Sequence, residues 1–222
     1  MSCPAAYRLR ITLFLVCSAL TLVGASTVYQ ALNTLNRLDI IERERDQWQR
    51  SQEIMDGLNL REGSVVADLG CGSGYFTLKL SSAVGGRGRV LAVDLRKLSL
   101  IFLWMRTVLR SEHNVSVIHG KTGDPLLPRP VDAVLIVNTY HELTEANPVL
   151  DHVFGSLAPG GRLVIADRGP ELEPKYHEIA SGVVEAQLIR EKFEILSRQE
   201  HFLDQPGEGP WWLIVARKPN AY

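Results

Sequence analysis

The sequence predicts an α/β protein: an open, doubly wound, mostly parallel sheet with helices on both faces, preceded by a hydrophobic N-terminal helix. Three observations carry this expectation. The runs VVADL, VLAVDL, VDAVLIV and RLVIAD are short, continuous and apolar, as parallel strands buried on both faces must be. Helical segments separate these runs in βαβα alternation. The last two apolar runs are joined only by Pro206-Gly207-Glu208-Gly209, too short for a crossover, so they pair as an antiparallel hairpin at one edge.

In chain order, Leu35 to Leu58 has helical character, with Ile40, Ile41, Trp48, Ile54, Met55 and Leu58 in a patchy apolar stripe. Strands follow at Val65–Leu69, Arg89–Asp94, Val115–His119, Val131–Val137 and Arg162–Ala166, with helices at Tyr75–Ala83, Leu95–Leu109, Thr144–Leu157 and Ser181–Lys192. Pro159-Gly160-Gly161 reads as a tight turn, and strands at Phe193–Phe202 and Trp211–Arg217 close the chain. In the Leu95–Leu109 helix, Leu98, Ile101, Met105, Val108 and Leu109 share one face, bordered by Phe102 and Trp104. That face reads as the core face, with Leu103 pointing outward.

The N-terminal 35 residues are a separate region from the body at 36–222. Between Arg10 and Arg37, the stretch Ile11 to Leu32 holds 22 uncharged residues, enough at about 1.5 Å rise to cross a hydrocarbon core of about 30 Å. The same stretch has the basic start, apolar run and V-x-A end at Ala25 of a cleavable signal. The uncharged run continues past Ala25, which favours an uncleaved single-pass anchor over export. Arg37, Arg43, Arg45 and Arg50 after the span outnumber Arg8 and Arg10 before it, which favours a cytoplasmic body.

Composition narrows the function classes. Lys plus Arg total 24 against 25 Asp plus Glu, so no global basic field exists to hold nucleic acid. The three cysteines, Cys3, Cys17 and Cys71, make no C-x-x-C pair and no metal-ligand spacing, and no metal is expected.

The chemistry concentrates at Val65-Val66-Ala67-Asp68-Leu69-Gly70-Cys71-Gly72-Ser73-Gly74-Tyr75-Phe76. A strand carrying a carboxylate turns through three alternating glycines and opens a helix. Ligands of open α/β sheets sit beyond the carboxyl ends of the strands, and glycines let backbone approach them. Asp94 ends the next strand, where a carboxylate accepts hydrogen bonds from ribose hydroxyls. The G-x-G-x-x-G of a dinucleotide site fails here in both registers, since Tyr75 and Thr77 stand where its last glycine belongs. An acid before the loop repels a pyrophosphate and suits a ligand with cationic groups. An NAD-dependent oxidoreductase is therefore the weaker alternative.

ADLGCGSGYF, VLAVDL and LAPGGRLVIAD together resemble motifs of the class I S-adenosylmethionine-dependent methyltransferases, over about residues 45 to 218. ERDQWQ, VLIVNTYHEL and FLDQPGEGPWWLIVARK are similar to a group of small bacterial methyltransferases that often carry an N-terminal hydrophobic segment. The resemblance implies a Rossmann-like seven-stranded sheet with its last strand antiparallel, and S-adenosylmethionine as cofactor. By resemblance, Gly70, Cys71, Gly72 and Gly74 form the loop around the cofactor's amino-acid moiety. Asp68 orients that loop or faces the ammonium, Asp94 takes the ribose, Leu95 packs on the adenine, and Asn138 is a further cofactor-binding residue. The family's G-D-A-like adenine contact has no clear match in Gly120-Lys121-Thr122-Gly123-Asp124.

On the acceptor side, strand four runs into Asn138-Thr139-Tyr140-His141-Glu142. The absence of [DN]-P-P-[YF] there argues against an amide or nucleobase nitrogen. The pattern looks more like small-molecule O- or C-methyltransferases, so a small-molecule or lipid-like acceptor is expected. His141 is the candidate general base, with Tyr140 and His177 completing the acceptor pocket. The alternative for His141 and Glu142 is helix capping, and for His177 a surface position. Asp167, at the end of strand five, reads as structural. A different class also fits: a membrane-tethered protein that binds ligand on this fold without turnover.

Overall fold

The computed structural model describes residues 4–128, 130–170, 178–205 and 209–220, with side chains at 21, 23–128, 130–170, 178–203 and 210–220. The chain forms two compact units, Met1–Glu44 and Arg45–Tyr222. The first is a length of helix α1, which runs Pro4–Trp48. Among the described residues, no helix is long and apolar enough to cross a membrane.

The second unit begins with the end of α1 and with α2 (Ser51–Asp56), then alternates β1 (Val65–Leu69), α3 (Tyr75–Val84), β2 (Arg89–Asp94), α4 (Lys97–Leu109), β3 (Val115–His119) and β4 (Val131–Val137). A short 3₁₀ turn at Tyr140–Glu142 leads to α5 (Ala146–Ser156), β5 (Leu157–Arg168), α6 (Ser181–Arg190), β6 (Glu194–Gln205) and β7 (Gly209–Arg217). The seven strands lie in the order β3-β2-β1-β4-β5-β7-β6. β1 pairs in parallel with both β2 and β4, so the chain winds outward in opposite directions from that pair. This is the topological switch point, where the crevice opens. β7 inserts antiparallel between β5 and β6, and the hairpin closes one edge. Pro159-Gly160-Gly161 is not a free turn: it lies inside the longer β5, where pairing with β4 shifts register between Val131 and Ala133.

Alternation along the strands sends side chains to two cores. Ala67, Leu69, Val134, Ile136, Leu163 and Ile165 face α5 and α6. Val66, Val90, Ala133, Leu135 and Val164 face α2 and α3, with Trp211 and Phe202 from the hairpin. Each buried valine, leucine, isoleucine or phenylalanine among them contributes about 1.5–3 kcal/mol. At the end of α1, Asp46 pairs with Lys79 at 2.7 Å and accepts from the Tyr75 hydroxyl at 2.7 Å, while Trp48 meets Trp211 edge-on.

Helix α4 reverses the expected face. Leu100, Leu103, Arg106 and Thr107 are its buried residues, and Leu103 is fully enclosed rather than outward. Leu98, Ile101, Val108 and Leu109 are exposed. The reason is a close approach: a Cβ on Gly74 would lie 2.4 Å from Leu103 Cδ1, so Leu103 fills the space that glycine leaves. The Arg106 guanidinium turns inward as well, donating to the Ser73 carbonyl at 2.7 Å. A helix apolar almost all round offers no periodic signal to choose between its faces.

Candidate active site

The loop after β1 is fastened to β2 by its backbone. The N–H groups of Gly70 and Cys71 both donate to the Val93 carbonyl, at 2.8 and 3.1 Å, and Gly74 N–H closes back on the Cys71 carbonyl at 2.9 Å. Gly70 has φ +73°, and a Cβ there would fall 2.2 Å from Thr139 Cγ2. Only glycine permits both the left-handed backbone and that contact. The loop then turns toward β2: Gly72 N–H donates to Asp94 Oδ2 at 2.8 Å, and Arg96 N–H donates to Asp94 Oδ1 at 2.7 Å. One carboxylate thus fixes the β1 loop and the start of α4 together.

A cavity of about 350 Å³ opens over this end of the sheet. Gly70, Cys71, Gly72 and Ser73 line one wall, Asp94, Leu95 and Arg96 a second, and Gly120–Gly123 with Pro125 a third. Asn138, Thr139, Glu142 and Glu145 line the side beyond β4. Arg96 and Glu142 pair at 2.8 Å at the exposed rim. Asp124 does not line the cavity; its Oδ1 accepts from Leu126 N–H at 2.8 Å.

Of the residues singled out from the sequence, Gly70, Cys71, Gly72, Asp94, Leu95 and Asn138 line the cavity. Asp68 and Gly74 do not. Asp68 is buried behind the loop, where it accepts from the Thr77 hydroxyl at 2.6 Å, so of its two expected roles the loop-orienting one matches its position. Burial pushes its carboxyl up to about 6, against the opposing effect of the Thr77 bond. Gly74 serves the packing of α3 against α4. Burial also raises the Cys71 thiol, with Asp68 and Asp94 adding to the shift, so it stays protonated.

The expected acceptor cluster is rearranged. Tyr140 is buried, and its hydroxyl donates to Gln187 Oε1 on α6 at 2.7 Å, away from the cavity wall. Desolvation raises its pKa, which removes it as a base. His141 is nearly enclosed and does not line the cavity either, although Thr139 and Glu142 on each side of it do. His177 lies outside the described residues. Neither Tyr140 nor His141 therefore lines the cavity, and their side chains leave the 3₁₀ turn toward different partners.

The partner of His141 is Asp167, which reads from the sequence as structural. Its buried Oδ1 bonds His141 Nδ1 at 2.8 Å and its Oδ2 accepts from the His141 backbone N–H at 3.1 Å. A carboxylate there assigns the proton to Nδ1 and leaves Nε2 with its lone pair. The bond holds the His141 pKa above the ordinary imidazole value, against partial desolvation. Next to it, Asn138 adopts φ +52° and accepts from Arg168 Nε at 3.0 Å. The register Val137↔Ala166 between β4 and β5 brings these four side chains together.

The cavity fits S-adenosylmethionine on its own geometry. Gly72 faces open space, with nothing within 4 Å of the position a Cβ would occupy, so that wall is a backbone cradle. Asp94 keeps lone pairs beyond its two backbone bonds for ribose hydroxyls. Leu95 is more than half exposed, an apolar surface for a flat base.

Comparisons with known proteins agree. Residues 66–161 match the family model described as a methyltransferase domain. The chain is 24% identical over 138 residues to a demethylmenaquinone methyltransferase of Oceanobacillus iheyensis, covering 62% of this chain and 57% of the relative. It is 31% identical over 120 residues to a 2-phytyl-1,4-naphtoquinone methyltransferase of Thermosynechococcus vestitus, covering 52% of this chain and 51% of the relative. It thus spans between half and two thirds of these curated relatives. Among solved structures, a SAM dependent methyltransferase from Aquifex aeolicus superposes with TM-score 0.69 at 22% identity, over 84% of this chain and 97% of that one. The [4+2]-cyclase SpnF superposes with TM-score 0.67 at 14% identity, over 78% of this chain and 81% of that one. Residues 66–161 are similar to a methyltransferase domain, and the fold that carries them is that of the class I S-adenosylmethionine-dependent methyltransferases.

Proposed function

We propose that this protein transfers a methyl group from S-adenosylmethionine to a small, lipid-like acceptor of the quinone class. The observation that carries the transfer is the cavity at the β1–β4 switch point, walled by Gly70–Ser73 and floored by Asp94. The quinone class is supported by the relatives that act on demethylmenaquinone and 2-phytyl-1,4-naphtoquinone. The cofactor supplies, when bound, a methyl group activated by a sulfonium leaving group. Gly70, Cys71 and Gly72 hold the amino-acid end by backbone, Asp94 the ribose, and Leu95 the base. His141, oriented by Asp167, stands behind the lining residues Thr139 and Glu142 rather than on the cavity wall, so as the base it takes up at Nε2, by relay and not by direct contact, the proton that the acceptor gives up on methylation. Arg96 and Glu142 pair at the exposed rim of the cavity. The test is incubation of the protein with S-adenosylmethionine labelled in its methyl group and with reduced quinones of varied tail length, the products identified by mass. Label on a quinone supports the reading. Saturable cofactor binding with no labelled product from quinones or cell extract would favour a binding protein on the same fold.

The same reading extends to the N-terminus. The uncharged run Ile11–Leu32 acts as an uncleaved anchor that keeps the body at the cytoplasmic side of a membrane, beside a lipid-like acceptor. Support for it is the sequence run itself. A reporter fused at Tyr222 tests it. Activity of a cytoplasmic reporter with the N-terminus intact agrees with the anchor, and an N-terminus at Ser26 overturns it.

A further inference from the structure

Helix α4 presents an apolar face that no described residue of the second unit covers. Leu95 just before the helix, then Leu98, Ile101, Trp104, Val108 and Leu109, are each more than half exposed. At about 3.6 residues per turn the five from Leu98 to Leu109 fall on one side of the helix. Single exposed hydrophobics are ordinary, but a contiguous stripe along a whole helix marks a contact surface. The charges on the segment itself have one sign, although Arg96 is paired with Glu142. From Leu95 to Ser111 the chain has Arg96, Lys97, Arg106 and Arg110 and no acidic residue. Arg106 is buried, but Lys97 and Arg110 are exposed at the two ends of the stripe.

The geometry points to an anionic lipid surface as the occupant of this face. An apolar stripe with a tryptophan, bracketed by cations and lacking acids, is the composition of helices that lie in the plane of a membrane interface. The stripe ends at Leu95, a wall of the cavity, so a helix seated in the interface places the cavity mouth at the lipid boundary. A second copy of the chain fits less well. Antiparallel pairing of two α4 faces sets Lys97 against Arg110, and parallel pairing sets like residue against like, so cations meet in either case. The inference stands apart from the N-terminal anchor, which concerns a different segment.

Trp104 is the native probe. The full 222-residue chain is mixed with vesicles of phosphatidylcholine and phosphatidylglycerol in equal parts, with acyl chains either brominated or not. Brominated chains should quench part of the tryptophan emission, and Trp104→Phe should abolish that part. Ile101→Glu with Val108→Glu, both at exposed positions, should weaken the quenching without changing the far-ultraviolet dichroism. Pure phosphatidylcholine should quench less. Equal emission from brominated and unbrominated vesicles, or quenching that persists in Trp104→Phe, overturns the proposal. So does shielding of Trp104 that grows with protein concentration in the absence of lipid, alongside a doubled mass, since the occupant is then a second copy. Loss of anchoring with Trp104 quenching intact leaves this inference standing.

Discussion

The two halves of the site are built by different means. The wall over β1 and β2 is backbone: glycine φ angles, N–H groups tied to the Val93 carbonyl, and one carboxylate, Asp94, that fastens two loops. The side over β4 and β5 is held by side chains: Asn138, in the cavity wall, on Arg168, and behind that wall His141 on Asp167, joined across 30 and 26 residues of sequence. A backbone wall binds any ligand of the right outline and keeps its shape when single side chains change. A side-chain wall supplies a proton acceptor and depends on every partner.

The largest expected effect falls on the side-chain wall. His141→Ala should lower kcat by about 10²–10⁴-fold while leaving the KM for S-adenosylmethionine near its original value. Asp167→Asn should lower kcat too and shift the acid limb of the pH profile. Its carboxylate raises the His141 pKa, so losing it lets the imidazole become neutral at lower pH, and activity should begin to rise at lower pH. An unchanged acid limb would show that His141 is not the titrating base.

Next comes the backbone wall. Gly70→Ala should cost about 2–5 kcal/mol, from the left-handed backbone and the overlap with Thr139 together, measured by chemical denaturation. A smaller effect belongs to Asp68, behind that wall. With its folded pKa near 6 against an ordinary 3.8, the folded state binds more protons in that window. Stability therefore falls as pH rises from about 4 to about 6, by up to about 3 kcal/mol. In Asp68→Asn that decline should be absent. The smallest loss of stability is expected for Gly72→Ala, about 1 kcal/mol, because its φ of +54° carries strain but no neighbour is struck. Its Cβ would enter the cavity, so cofactor affinity should drop while the fold survives. If Gly72→Ala binds as tightly as the parent, the cradle is elsewhere.

The same division decided what the sequence could reveal. The loop and Asp94 were legible because a strand end, its glycines and the next strand end are local features. The strand bounds through β4 were legible from continuous apolar runs. Asp167 was not recognised as the partner of His141, because their meeting depends on the β4–β5 register, which no local pattern records. Tyr140 looked like part of the acceptor pocket because it neighbours His141, yet its hydroxyl is taken by Gln187 from α6. The inward face of α4 is not legible in the sequence, because apolar residues nearly surround the helix and the buried face carries Arg106 and Thr107, while the vacancy at Gly74 that seats Leu103 is a tertiary fact. The fold by itself also hosts other chemistry, as the resemblance to a cyclase shows, so the reaction rests on the site.

The central claim is that the cavity over Gly70, Gly72 and Asp94 holds S-adenosylmethionine. Titration calorimetry of the full chain with S-adenosylmethionine, and separately with a nicotinamide dinucleotide, tests it most directly. S-adenosylmethionine should bind saturably in the micromolar range, binding should be lost in Asp94→Ala, and the dinucleotide should not bind. Absence of heat with S-adenosylmethionine together with binding of the dinucleotide would contradict it.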